Sequence, residues 1–372
     1  MAKEKLVTHA VVLAGGRGTR FWPRSRTRTP KQLLNIVGKK TMLEQTVARL
    51  TPLIPAEHIW TVTNAEQAAE VRRQMPPKLR RRILTEPIGR NTAAAIALAA
   101  VHIRRAEGGD ALLAVLPADH YIADAAKYRK IARAALETAR EPGRMVVLGI
   151  PPTRPETGFG YIESMGEAQQ MSGFPVFAVR RFTEKPEPQL AKQYIESGHY
   201  HWNAGMFFWR ISTFLDNLKR FLPTTREALE TLAAAIGTRQ YKRKLRAIYP
   251  GLDNISVDYA LLEPASRQPG PPHVFVIPAE IGWSDIGSWA AVHGLLVNSN
   301  SADQNVFVSP GCALDASGNL ISCPGKFTAI VGARDLIIVE TPDALLVCRR
   351  DRAQDVGKVV KWLEEQRRKE LL

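Results

Sequence analysis

The chain has 372 residues, 45% of them hydrophobic and 23% charged, so a sizeable core is assured. Lysine and arginine (51) outnumber aspartate and glutamate (36), and the net charge of +15 suits nucleic acid, an anionic membrane or an anionic small substrate. Three cysteines (Cys312, Cys323, Cys348), an odd count without CxxC spacing or nearby histidine pairs, argue against structural zinc and a secreted disulfide framework.

The N-terminal "MAKEKLVTHAVVLAGG" has an apolar run that ends at once in glycines, so it reads as neither a signal peptide nor a membrane span, and a cytoplasmic protein is expected. From there, strand-like runs alternate with helical patterns. "HAVVLAGG" precedes "TMLEQTVARL", "HIWTVTN" precedes "EQAAEVRRQM", and "RRILTE" precedes "NTAAAIALAAVHIRRA". "ALLAVLPADH" leads to "YRKIARAALETA", and "RMVVLGI" closes the series. Continuous Val/Ile/Leu runs separated by helices predict an α/β fold: a Rossmann-like, mostly parallel sheet covered by helices on both faces. Ligands of such sheets gather at the carboxyl ends of the strands, where "AGGRG", "EPIGRN" and "PADH" fall.

From about residue 150 the pattern changes to short strands, glycine turns and aromatics, which predicts antiparallel strands forming the far wall of a cleft. A helical stretch follows over about 212–248. After residue 300 come brief strands with turn signals, then a charged terminal helix, which predicts a small β-rich, β-helix-like module without a strong internal repeat. The expected division is a catalytic domain over 1–295, with 150–295 carrying the sugar-phosphate part, and a module over 296–372.

The stretch "VVLAGGRGTRFWPRSRTRTPKQLL" (11–34) matches neither Walker A nor the dinucleotide fingerprint. Gly15, Gly16 and Gly18 let the backbone approach a ligand, and their exposed N–H groups would form an anion-binding nest. Arg17, Arg20 and Lys31 supply positive charge beside it. The plainer reading is an ordinary glycine turn after a first strand.

The arrangement "AGGRGTRFWPRSRTRTPKQ" is more specific than its glycines. It resembles the signature of the nucleotidyltransferases that make nucleotide sugars, and most of all the mannose-1-phosphate guanylyltransferases. "EPIGRNTAAAIALAA", "VLPADHYI", "TGFGYIE", "FTEKP", "WNAGMFFW", "SVDYALLE" and "GWSDIGSW" follow in that family's order. "ARDLIIVETPDALLVC" and "AQDVGKVV" extend the likeness to the C-terminal part, so it covers nearly the whole chain.

The resemblance implies transfer of GMP from GTP to mannose 1-phosphate, giving GDP-mannose and pyrophosphate. A phosphate monoester has a second pKa of about 6, so the nucleophile is already an anion and needs no general base. Catalysis is then positioning and charge neutralisation. Leu13, Ala14, Gly15, Gly16, Arg17, Gly18 and Thr19 would hold the nucleotide, with Arg17 and Lys31 neutralising the triphosphate and Arg17 the transition-state charge. Asp119 and Asp285 match the ligands of Mg²⁺, with other divalent ions also suitable. Taken alone, Asp119 is an ordinary helix-capping residue.

Glu86 is the implied acceptor for guanine, with Asn91 beside it; Asn91 reads equally well as the N-cap of the following helix. Lys185 matches the lysine that grips the sugar phosphate. Gly160, Glu163, Glu184, Asn203, Gly205 and Asp258 match the remaining sugar contacts. Trp202, Phe207, Phe208 and Trp209 read as core rather than ligand stackers, and His120 and His199 to His201 receive no role.

The chain is too short for the isomerase extension of many bacterial relatives, so no isomerase activity is expected. The family's short form pairs through its C-terminal module, which implies a homodimer. A related enzyme with another sugar or base is the nearest alternative. A silent nucleotide-sugar-binding regulator would be expected to lose Arg17, Asp119 or Asp285, and all three are present. A nucleic-acid-binding protein would show steeply salt-dependent retention on DNA. Neither a nucleic acid nor a membrane is the expected partner.

Overall fold

The computed structural model describes residues 6 to 298 and 301 to 372; Met1 to Lys5, the start of the N-terminal stretch read above, lie outside it. Strand β1 (Thr8–Leu13) is followed by α1 (Met42–Leu50), β2 (Ile59–Asn64), α2 (Ala68–Gln74), β3 (Ile83–Glu86), α3 (Asn91–Glu107) and β4 (Leu112–Pro117). All four strands are parallel neighbours in the order β3-β2-β1-β4. Then come β5 (Tyr121–Ile122), α4 (Ala125–Thr138), β6 (Met145–Ile150), β7 (Gly160–Met171), β8 (Phe174–Glu184), β9 (Tyr200–Arg210), β10 (Val274–Pro278) and β11 (Trp283–Ser284). Helix starts follow local chemistry. Thr41 caps α1 by accepting from the Glu44 amide at 3.2 Å, and the Glu44 carboxylate accepts in turn from the Thr41 amide at 2.8 Å.

The mostly parallel arrangement is present, covered on both faces. Side chains alternate along β1, so Ala10 and Val12 pack into one core and Val11 into the other. The first core is closed by α1 and α4; the second by α3, whose run of buried alanines lets the helix lie close to the strands. Among the described residues no helix is long and apolar enough to cross a membrane.

The expected far wall is in fact part of the same sheet, which has nine strands in the order β3-β2-β1-β4-β9-β6-β10-β8-β7. Strand β9 wedges between β4 and β6, antiparallel to both. Its aromatics drive this placement. Phe208 and Trp209 are fully buried, Trp202 and Phe207 nearly so, and burying each ring stabilises by about 1.5–3 kcal/mol.

The C-terminal module is a β-helix-like stack. Val306 aligns with Leu320 and Leu320 with Ile337 in parallel register, while Gly311 aligns with Thr328. A buried asparagine ladder satisfies the turns: Asn319 Nδ2 donates to Asn305 Oδ1 at 2.9 Å and to the Ala333 carbonyl at 3.0 Å. Successive coils present different residues, which is why no repeat is legible in the sequence. All three cysteines are free thiols.

Candidate active site

The chain runs from β1 to β2 and β3 on one side, then returns to place β4 on the other, so a crevice opens at the carboxyl ends of β1 and β4. A cavity of about 480 Å³ lies there. Its walls include Leu13, Gly15, Gly16, Glu86, Asn91, Asp119, Gly160, Glu184, Asn203, Gly205, Asp258 and Asp285. These come from distant parts of the chain. A larger cavity of about 870 Å³, between the 24–38 segment and the C-terminal strands, holds none of them.

The glycine loop is anchored from behind by its carbonyls. Thr63 Oγ1 donates to the Ala14 carbonyl at 3.0 Å, and Gln32 Nε2 donates to the same carbonyl at 3.1 Å and to that of Gly16 at 2.9 Å. Asn64 Nδ2 reaches the Gly15 carbonyl at 3.4 Å. In a planar trans peptide the N–H points opposite to its carbonyl, so the amides of Gly15, Gly16 and Arg17 are turned away from these anchors. That is an anion nest held by the sequence-distant Gln32, Thr63 and Asn64. Gly18 is left-handed (φ 60°), and a Cβ there would stand 2.5 Å from Lys31 Cβ, so only glycine fits. Ala14 is buried, and Thr19 contacts the C-terminal segment rather than the cavity wall.

Lys31 is buried, with its ammonium 2.9 Å from Asp119 Oδ2 and 2.5 Å from the Asp285 carbonyl. Burial pushes the Asp119 carboxyl up, but the Lys31 charge and hydrogen bonds outweigh it and hold the group below the ordinary aspartate value. Among the described residues no cluster of three or more His, Cys, Asp or Glu side chains could hold a metal. Asp119 and Asp285 alone fit a hard divalent cation that keeps waters and takes its other oxygens from phosphate.

Glu86 is buried. Burial raises its pKa, opposed by the Tyr249 hydroxyl, which donates to Oε1 at 2.6 Å; Oε2 lies against Gly15, 3.4 Å from where a Cβ there would stand. Asn91 opens α3 in a left-handed conformation (φ 61°), its Oδ1 accepting from the Thr92 amide at 2.9 Å.

On the opposite wall, Asn203 Nδ2 donates to Asp258 Oδ1 at 2.7 Å and Asn203 Oδ1 accepts from the Gly205 amide at 2.9 Å. A Cβ on Gly160 would collide with Glu184 Oε2, which is buried without a hydrogen-bond partner and aimed at the cavity wall. Burial, and then the neighbouring Asp258 carboxylate, push Glu184 up to about 7. Lys185 stands exposed at the rim, left-handed at φ 48°, its ammonium 3.6 Å from Glu184 Oε1.

Besides Ala14 and Thr19, two expected charged residues point away from the cavity. Glu163 lies on the far side of β7, where it accepts from the Tyr200 hydroxyl at 3.0 Å and faces Arg180 at 3.4 Å. Arg17 points away, paired with Glu364 at 2.5 Å, because the C-terminal helix Val356–Glu365 packs over the signature loop. Arg20 occupies the side of the site instead, next to Asp285.

Other wall residues carried no expectation. His120 Nδ1 accepts from Trp283 Nε1 at 3.2 Å, and burial depresses its pKa. Phe159 and Trp283 meet edge to face at 5.3 Å. The only signal for His120 is its place beside Asp119 in "PADH".

The family model for nucleotidyl transferases matches residues 9–300, and the model for the mannose-phosphate isomerase/GMP-like β-helix domain matches 311–363. The alginate biosynthesis protein AlgA of Pseudomonas aeruginosa is 38% identical over 372 aligned residues, covering 97% of this chain and 73% of that protein. The mannose-1-phosphate guanylyltransferase RfbM of Salmonella typhimurium is 38% identical with the same coverage. The chain belongs to the mannose-1-phosphate guanylyltransferase family. Among solved structures, one named a mannose-1-phosphate geranyltransferase, from Thermus thermophilus, superposes with a TM-score of 0.84 at 36% identity. It covers 96% of this chain and 99% of its own. A mannose-6-phosphate isomerase from Helicobacter pylori superposes with a TM-score of 0.60 at 26% identity over 75% of this chain and 100% of its own. The guanylyltransferase family thus accounts for both the catalytic sheet and the β-helix-like module of this nucleotidyl transferase.

Proposed function

We propose that the chain transfers GMP from GTP to mannose 1-phosphate, releasing GDP-mannose and pyrophosphate. One observation carries this reading: a single cavity joins a nest of backbone amides, the Lys31–Asp119–Asp285 cluster and the Glu184–Asn203–Asp258 wall. A sugar-phosphate oxygen attacks the α-phosphorus in line. The new P–O bond forms as the bond to the β-phosphate oxygen breaks, and pyrophosphate leaves with the electron pair.

In this scheme the nest and Lys31 neutralise phosphate charge, Glu86 accepts from the guanine N–H groups, and Leu13 and Asn91 border the nucleoside. Glu184, Asn203, Gly205 and Asp258 read the sugar hydroxyls, Gly160 gives them room, and Lys185 at the rim meets the sugar phosphate. A divalent cation, Mg²⁺ by the hardness of its donors, would be held by Asp119 and Asp285 and supply Lewis-acid neutralisation when bound. Three free thiols suit a reducing compartment such as the cytoplasm.

A homodimer through the C-terminal module is supported by Leu314 and Val331, which are exposed side by side on paired strands. Light scattering of a Leu314→Glu, Val331→Glu double variant tests it: a dimer should become a monomer.

The decisive experiment is pyrophosphate release with Mg²⁺, comparing GTP with other nucleoside triphosphates and mannose 1-phosphate with glucose 1-phosphate. Release should be strongest with GTP and mannose 1-phosphate, and lost in Asp285→Ala. No release from any pair, by protein that binds GDP-mannose, would replace this reading with that of a binding regulator.

A further inference from the structure

A chamber of about 440 Å³ lies between α3 and the helix Pro223–Ala235, and it shares no lining residue with the cleft. Val101, Arg104 and Arg105 line it from α3, at a spacing that puts them on one face. Arg226, Glu230 and Ala233 line it from the other helix with the same periodicity, over a floor that includes the buried Leu215. Helix faces with this spacing ordinarily close on each other in a core. Here one face carries arginines and the other an alanine, and the gap stays open.

The lining holds three cations against one carboxylate. Arg104 and Arg105 are exposed and, among the described residues, have no side-chain partner. Cations in the last turn suit the negative end of α3, which explains their place but calls for no ligand. Arg226 is different. Its side chain is only 15% exposed and pairs with Glu230 at 2.7 Å through Nη1, while Nε is buried without a partner. A buried donor left open is costly, and an oxygen-rich ligand would satisfy it. Glu230 is mostly exposed, so its pair with Arg226 is weak and opens readily to a competing anion.

The helix Tyr241–Ile248 adds Lys242, Arg243, Lys244 and Arg246 with no acidic residue, and the Tyr241 hydroxyl joins it to His102 of α3 at 2.6 Å. This flank is therefore positive around the chamber, which draws anions toward it. Guanidinium forks match phosphate oxygens, and an apolar floor beside them suits an organic group carrying the phosphate.

Both walls of the chamber reach the cleft. At its other end, about 25 Å away, α3 puts Asn91 and Thr92 in the cleft wall. There Thr92 Oγ1 accepts from the Val257 amide at 2.8 Å, next to Asp258. Thr225, near the start of the second helix, donates to Asp253 Oδ2 at 2.6 Å, in the segment that carries Tyr249 to Glu86.

We propose that this chamber is a second ligand site, which binds a small organic phosphate monoester and acts on the cleft as an effector site. Arg104, Arg105 and Arg226 hold the phosphate, Glu230 gives way, and the apolar floor takes the organic part. The bound ester fixes the spacing of the two helices, and through them the setting of Asn91 and Asp258. The binding site stands apart from the guanylyl-transfer reading; its effect on the cleft rests on that reading.

The test is calorimetric titration of inorganic phosphate, glucose 6-phosphate and AMP, each separately, into protein whose cleft is saturated with GDP-mannose. One of the two esters should bind once per chain, about tenfold or more tighter than inorganic phosphate. Arg226→Gln, and separately the Arg104→Gln, Arg105→Gln double variant, should weaken that binding about tenfold or more, the loss of a charge-assisted contact. Without the ester, both should keep kcat/KM for GTP within about twofold of wild type. With it, the wild-type KM for GTP should shift about fivefold or more, and both variants should lose the shift. Binding that disappears when the cleft is filled, or that the variants leave unchanged, overturns the site. Binding without a shift in the GTP KM, or a shift that the variants retain, overturns its effector role. A wild-type protein that binds no GDP-mannose overturns the reading of the cleft instead, and titration of the variants without it then decides this site alone.

Discussion

Lys31 and Asp119 meet at 2.9 Å across a buried ammonium that also grips the Asp285 carbonyl, so one side chain ties the end of β4 to the turn after β11. The pair sets the charge of the site and holds the Asp285 backbone beside Asp119. Lys31→Met should therefore lower kcat/KM by about 10²–10³-fold, the size expected for one preorganised charge at a phosphoryl centre. Steady-state kinetics with GTP and mannose 1-phosphate decide; a loss under fivefold would leave Lys31 a structural clamp.

Gly18 sets the shape of the loop through its left-handed backbone and its contact with Lys31. Gly18→Ala should cost about 1–3 kcal/mol of stability and displace Lys31. A lowered melting temperature with reduced activity is the expected pair of results. An active variant with wild-type melting would show that the loop relaxes freely.

Base selection should reside in Glu86. Replacing its carboxylate by an amide, Glu86→Gln, presents a donor to guanine donors, and the preference for GTP over ATP should fall by about 10²-fold or more. Tyr249→Phe leaves the buried Oε1 without its hydroxyl donor and should cost about 1–3 kcal/mol in stability. Parallel kcat/KM measurements with both nucleotides check the first, and thermal melts the second.

Glu184 predicts a pH signature. Its folded pKa, near 7, lies above the ordinary glutamate value, so the native state binds the extra proton. The associated stability is fully present below about pH 4.5 and is lost as pH rises through 7. His9 and His102, both lowered to about 4 chiefly by burial, run the opposite way, losing stability as pH falls below 6.5. The readout is accordingly the difference between wild type and Glu184→Gln. Glutamine mimics the protonated carboxyl, so the two should be most alike at acid pH, and the variant should gain on wild type as pH rises in thermal melts taken from pH 4.5 to 7.5. A pH-independent difference would mean that folding leaves the Glu184 pKa unshifted.

The strands, helices and glycine loop are local properties, and they are legible because alternation, capping and glycine spacing act over a few residues. "HAVVL" reads as a doubly buried strand because it is one, and the Thr41–Glu44 box marks the start of α1 where the apolar period begins. The motifs also named the residues that would share a site. The sequence could not say which of them meet. Arg17 and Arg20 stand three residues apart with the same chemistry. Only the docking of the C-terminal segment gives the first to Glu364 and the second to Gln354 beside Asp285. Glu163 lies on the face of β7 that meets Tyr200 and Arg180, away from the cavity, a matter of strand pairing rather than motif. Ion pairs and cavity walls join residues hundreds of positions apart, and no local pattern records them.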